Sequence, residues 1–165
     1  MMNNLYELVC PCHFGLEAVL KREIYDLGYD ISKVDNGRVY FEGDDEAIAR
    51  ANVNLRIAER VMICVGEFQA VTFTELFDQV AELEWERFIP KDGKFWVTKA
   101  SSVNSKLFSG SDIQSIVKKA IVSRLSKKYN ISWFEETGNE YPIKIMILKD
   151  KVSVCIDTTG VALHK

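Results

Sequence analysis

No apolar run in this sequence approaches the roughly 18 residues that a membrane-spanning helix needs. A secretory signal is missing as well, because Glu7 interrupts the only apolar stretch near the start and Glu17 follows before an h-region could form. The protein is therefore expected in the cytoplasm, with no membrane partner. Histidines number two, His13 and His164, and neither has a triad context; no serine lies in a G-x-S-x-G turn. Glycine-rich phosphate loops are absent too, since F-S-G-S-D (Phe108 to Asp112) lacks both the P-loop lysine and the G-x-G-x-x-G spacing. No catalytic residue is assigned.

Cysteines are four: Cys10, Cys12, Cys64 and Cys155. In a strand, residues two apart face the same side, so Cys10 and Cys12, with His13, could in principle hold a metal. A structural zinc site wants four ligands, usually in two pairs, and no second pair exists. C-x-C is also not the C-x-x-C spacing of thioredoxin-like redox motifs. Packing at the end of a strand is the favoured reading, with no metal, and Cys64 and Cys155 sit singly in apolar strands as small hydrophobes. In a cytosolic protein all four are expected to be reduced.

What the sequence does hold is an ordinary globular composition, 47% apolar and 27% charged over 165 residues. That mass suits two small domains, each with its own core. Leu5 to Cys10 reads as a strand, and the helical period of Leu16, Val19, Leu20, Glu23, Ile24 and Leu27 runs up to a C-terminal Gly28. Asn36-Gly37 joins two short strands as a type I′ turn would. Asp44 caps a second helix with acids in its first turn, and a β-branched segment from about Arg60 to Phe68 returns as a strand. The order is β-α-β-β-α-β, the ferredoxin-like arrangement.

The second half differs in order. Thr72 to Glu75 has capping-box spacing before a helix carrying Phe73, Leu76, Phe77, Val80, Leu83 and Phe88 on one side, stopped by Pro90. Within it, E-L-E-W-E (Glu82 to Glu86) reads as a solvated face. Lys94 to Ala100 is a strand, followed by a hydroxyl-rich loop from Ser101 to Ser111. Ser111 to Gln114 is a second capping box, opening a helix to about Tyr129 with the stripe Ile113, Ile116, Val117, Ala120, Ile121 and Leu125. P-I-K-I-M-I-L and V-S-V-C-I-D then form a hairpin around K-D-K. The fold class expected is α+β, with a ferredoxin-like domain over residues 1–68 and an α/β domain over 69–165.

Charge is unevenly spread. Residues 1 to 98 hold ten Lys or Arg against eighteen Asp or Glu, whereas residues 99 to 128 hold seven basic residues against the single acid Asp112. Such a stretch is either a solvated helix face or the footprint of a polyanion. The hydroxyl-rich loop, the start of the following helix and Lys99, Lys106, Lys118 and Lys119 would together make a groove for a phosphate backbone. No aromatic pair of the RNP type lies on a strand, so an RRM is not indicated.

The ordered series N-L-R-I-A-E-R-V, T-F-T-E-L-F, W-V-T-K-A-S-S-V-N-S-K-L-F-S, Q-S-I-V-K-K-A-I-V-S-R-L and V-C-I-D-T-T-G-V-A-L-H-K resembles the N-terminal half of the THUMP-containing ribosomal RNA guanine-N2 methyltransferases. The resemblance implies a ferredoxin-like domain followed by a THUMP domain. That pair would present structured RNA, 23S ribosomal RNA above all, to a C-terminal Rossmann-like methyltransferase domain. By matching position it places Lys99, Ser101, Ser102, Ser105, Lys106, Ser109, Gln114, Lys118 and Lys119 towards RNA. Gly15, Leu16 and Glu17 match the family pattern at the first strand-to-helix turn.

In that family, an S-adenosylmethionine loop and an Asn-Pro-Pro-aromatic motif follow. The chain stops at Lys165 and contains neither. It therefore reads as a part that binds RNA but holds no cofactor and cannot methylate, S-adenosylmethionine being expected of the longer parent. The same domain pair is implied for tRNA thiouridine synthases, and a ferredoxin-like sensor or interaction module is the alternative outside RNA binding.

Overall fold

The computed structural model describes residues 5–35, 37–98 and 100–158. The chain divides into two compact units, Met1–Cys64 with Asp157–Lys165, and Val65–Ile156. The first runs β1 (Tyr6–Pro11), α1 (Glu17–Asp26), β2 (Ile31–Asp35), β3 (Arg38–Gly43), α2 (Asp45–Asn54) and the opening residues of β4 (Met62–Gln69). This is the expected β-α-β-β-α-β order. β1 lies between β3 and β4, antiparallel to both, and β2 pairs antiparallel with the far edge of β3. Its central place buries Leu8, Val9 and Cys10 completely.

Local chemistry sets the helix ends. Asp44 accepts the Ala47 N–H at 2.9 Å and so caps α2. Gly28, at φ +96°, closes α1 in a Schellman turn, with the Gly28 N–H donating to Tyr25 O at 2.9 Å and the Tyr29 N–H to Ile24 O at 3.3 Å. Glu23 shares the helical period of α1's apolar residues, and its Oε1 accepts the N–H groups of Arg56 and Ile57 at 3.2 and 3.1 Å. An acid at that position fastens the loop after α2. Asn36 lies outside the described residues; its neighbour Gly37 has φ +76°.

Glu17 has the corresponding role at the start of α1. Its carboxylate accepts the Gly15 N–H at 2.9 Å and the Gly37 N–H at 2.6 Å. The Gly37 bond above all holds its pKa below the usual carboxylate value. The matched Gly-Leu-Glu is thus a clamp between the β1–α1 turn and the β2–β3 turn. Cys10 and Cys12 are buried, and burial pushes the Cys10 thiol up to about 12. His13 is exposed, 3.5 Å from Glu59. The two thiols thus pack inside the unit while the imidazole faces outward beside Glu59.

The second unit contains the rest of β4, α3 (Phe73–Glu82), a single 3-10 turn (Trp85–Arg87), β5 (Lys94–Val97), β6 (Ser101–Val103), α4 (Gly110–Tyr129), β7 (Glu140–Leu148) and β8 (Lys151–Asp157). The strand order is β4-β8-β7-β5, with β6 also on β7. β7 and β8 are antiparallel, while β5 and β6 both run parallel to β7. The hairpin turn falls on Lys149 and Asp150, whose φ values of 49° and 66° are those of a type I′ turn. Ile143, Ile145, Ile147, Val152 and Val154 form the sheet side of the core, and Leu76, Val80, Ile113, Val117, Ile121 and Leu125 the helix side.

Several expectations need correction here. The strand at Lys94 ends at Val97, and Ser101–Val103, expected as loop, is a strand, because Thr98 turns both its N–H and its hydroxyl onto Ile143 O at 2.7 and 3.0 Å. The Thr72 cap forms, accepting the Glu75 N–H at 3.1 Å. The helix it opens nevertheless stops at Glu82, and Trp85, not Phe88, fills the core beyond it. The Trp85 indole donates to Val80 O at 2.8 Å, alongside the Leu83 N–H at 3.2 Å, and so ties the 3-10 turn to the last turn of the helix. α4 starts at Gly110 behind Ser109, so the box expected from Ser111 to Gln114 does not form.

Candidate nucleic-acid interface

The described cations of the basic stretch lie on the loop after β6 and on α4. That loop is fastened to the β7–β8 turn by a small network around Asp150. The Lys106 N–H donates to Asp150 Oδ1 at 2.7 Å, and the Asp150 N–H donates to Ser105 Oγ at 2.9 Å. Ser105 Oγ in turn donates to Val103 O at 2.8 Å, and Val103 O also accepts the Lys149 N–H at 3.1 Å. Ser102 Oγ donates to Leu107 O, and Leu107 is buried. A surface loop with its backbone bonded at this many points is held in one shape.

The residues expected to face RNA divide by where their polar atoms go. Gln114 Nε2 donates to Thr98 O at 2.7 Å and to Val97 O at 3.3 Å, closing the break between β5 and β6. Lys118 donates to Phe95 O at 2.5 Å with its ammonium 3.8 Å from the Phe95 ring centroid. Desolvation there lowers its pKa, against a smaller opposing pull from Glu136. Ser102 and Ser105 hold the loop. Ser101, Lys106 and Lys119 are exposed, and Ser109 is half-buried at the cap of α4 with no side-chain bond to the first turn. Lys99 lies outside the described residues.

Arg124 is committed as well. It makes a two-pronged bond to Glu86, Nε to Oε1 at 3.0 Å and Nη2 to Oε2 at 2.9 Å, and Tyr129 donates to Ile89 O at 2.6 Å. Of the E-L-E-W-E segment, Glu82 and Glu84 are exposed as expected of a solvated face, whereas Trp85 is buried and Glu86 is bonded to α4. The Arg124 bond holds the Glu86 carboxyl below the usual range. A carboxylate with a lowered folded pKa adds stability above its unfolded pKa of about 4.3, and that stability is lost as pH falls through the folded value. Urea melts of wild type and Glu86→Gln should therefore differ most near neutrality and converge in acid. A constant difference between about pH 7 and pH 3 would refute the pairing.

Once these bonds are set aside, the exposed cations on this part of the unit are Lys106, Lys119, Lys127 and Lys128, none in an ion pair among the described residues. Lys106 precedes the start of α4, where the helix dipole is positive, and Lys119 lies midway along the helix, whereas Lys127 and Lys128 lie in its last turn; with Ser101 these exposed groups present charge suited to a phosphate backbone. Asp112 is the one acid in the first turn.

Comparison with known proteins gives the same two parts. A model of the RlmL ferredoxin-like domain matches residues 7–62 and one of the THUMP domain matches residues 70–157. A curated relative from Bacillus subtilis (strain 168), provisionally named RNA methyltransferase YpsC, is 49% identical over 163 residues, covering 97% of this chain and 42% of the relative. Ribosomal RNA large subunit methyltransferase K/L of Buchnera aphidicola subsp. Acyrthosiphon pisum (strain APS) is 25% identical over 172 residues, covering 99% and 23%.

A solved structure from Listeria monocytogenes str. 4b F2365, described as a predicted N6-adenine-specific DNA methylase, superposes with a TM-score of 0.91 at 51% identity, covering 98% of this chain and 42% of that one. SMU.472, provisionally a methyltransferase and solved with SAH, gives 0.91 at 46%, covering 96% and 43%. The chain spans less than half the length of each of these proteins.

Proposed function

Because the chain belongs to the THUMP-domain family and carries an RlmL-type ferredoxin-like domain ahead of its THUMP domain, we propose that it is the RNA-recognising part of a ribosomal RNA (guanine-N2)-methyltransferase. Its two domains, residues 1–68 and 69–165, hold structured RNA, with 23S ribosomal RNA as the substrate, for a Rossmann-like catalytic domain of the same parent protein. The observation that carries this reading is the selective exposure of cations. Lys118 and Arg124 are bonded into the fold, whereas Lys106, Lys119, Lys127 and Lys128 remain free for phosphates. The methyl donor would be S-adenosylmethionine, and these residues do not fit it, there being no glycine-rich loop for it. We place the protein in the cytoplasm, where four cysteines that form no disulfide are stable.

The test is a titration of the chain with a structured 23S ribosomal RNA fragment across a salt series. The double variant Lys106→Ala/Lys119→Ala is expected to bind more weakly, with the dependence of log K on log salt shallower by about two. Unchanged binding would remove this face from the account. Competition with duplex DNA separates the RNA reading from the DNA methylase described for the Listeria structure. DNA competing as well as RNA would overturn it.

A further inference from the structure

Phe108 is 79% exposed, directly between buried Leu107 and the α4 cap Ser109. An aromatic ring left in water on a mobile loop would be unremarkable. This one sits on a fixed backbone: Ser102 Oγ holds the carbonyl of the preceding residue, Asp150 holds the Lys106 N–H, and Ser109 O accepts the Ile113 N–H at 2.9 Å. Leu107 turned inward leaves its neighbour turned out. The ring follows the exposed Lys106 by two residues and precedes α4, a helix whose one acid is Asp112 and which carries the exposed Lys119 farther along.

A pre-ordered aromatic beside an exposed lysine and a helix start is an arrangement suited to stacking an unpaired base, since every base has a π-face and the neighbouring cation can hold a flanking phosphate. A fully paired duplex offers it nothing to stack on. We infer that Phe108 is a stacking platform for an unpaired nucleotide, so that the RNA taken by this face is a helix interrupted by single-stranded bases. This rests on the RNA-binding reading above and narrows its substrate class. Phe108 is outside the set of residues expected from the sequence to face RNA.

Two RNAs test it: an uninterrupted hairpin, and the same hairpin with an unpaired bulge carrying 2-aminopurine. For the chain with Phe108→Ala, affinity for the bulged RNA should fall about tenfold or more, with the salt slope unchanged and affinity for the uninterrupted hairpin the same. Phe108→Trp should restore the bulged affinity, and 2-aminopurine emission should be quenched by wild type but not by the alanine variant. If Phe108→Ala binds both RNAs as wild type does, while Lys106→Ala/Lys119→Ala weakens both, the stacking role is overturned and RNA binding stands. If wild type binds neither RNA at low salt, the RNA reading itself fails and the platform with it.

Discussion

Replacing Trp85 by Ala is expected to cost the second unit about 3–5 kcal/mol, the range for deleting a large buried aromatic. Trp85 is fully buried, and its indole N–H is the donor for Val80 O at 2.8 Å. Truncation therefore leaves a cavity and removes one of the two donors to Val80 O, the Leu83 N–H at 3.2 Å being the other. Denaturant unfolding followed by far-UV circular dichroism should show the midpoint shifted down, and RNA affinity should fall in parallel, because the same 3-10 segment holds Arg124 and Tyr129 of α4. Trp85→Phe keeps most of the volume and loses only the hydrogen bond, so it should cost about 1 kcal/mol. Equal losses for the two variants would show that packing around the ring is not what holds α3 to α4.

In the first unit, Gly43→Ala is the substitution with the largest expected effect for its size. A Cβ at Gly43 would lie 2.4 Å from Ala47 Cβ and 3.3 Å from Leu8 Cδ1. Ala47 cannot rotate away. Its Cβ is set by the backbone of α2, whose first turn is fixed by the Asp44 cap, and Leu8 is fully buried in the central strand. β3 and α2 must therefore separate, at a cost of about 1–3 kcal/mol typical of an overpacked core. Gly43→Ala/Ala47→Gly should recover part of that loss, short of the roughly 1 kcal/mol that a glycine inside a helix costs. The non-additivity of this cycle is the measurement. If the second substitution merely adds to the first, the two positions are not in contact.

Much of this fold was legible because it is written in local chemistry. The Asp44 and Thr72 caps, the Gly28 termination and the two-residue turn at Lys149 and Asp150 each involve residues a few positions apart, and each formed. The order of the first six elements followed from them. Where spacing misled, a distant partner had intervened. Gln114 had the right offset for a capping box, but its amide satisfies Val97 and Thr98 carbonyls across the break between two strands. Phe88 had the right period for the core, but Trp85 offered a donor for the exposed end of α3 and took the place.

The same division runs through the proposed site. Sequence by itself determined that positive charge is concentrated between residues 99 and 128 and that the chain resembles the THUMP methyltransferases, since composition and motif order need no coordinates. It could not tell Lys118 from Lys119, adjacent in the chain and identical in chemistry. Only tertiary structure separates them: the helix turns one towards the Phe95 ring and carbonyl and leaves the other in water. Likewise it distinguishes buried Leu107 from exposed Phe108, and pairs Arg124 with a glutamate 38 positions away. Which cations are free depends on which acids, carbonyls and rings the fold brings within about 3 to 4 Å, the range over which hydrogen bonds and ion pairs act. Such long-range pairings have no period in the sequence to reveal them.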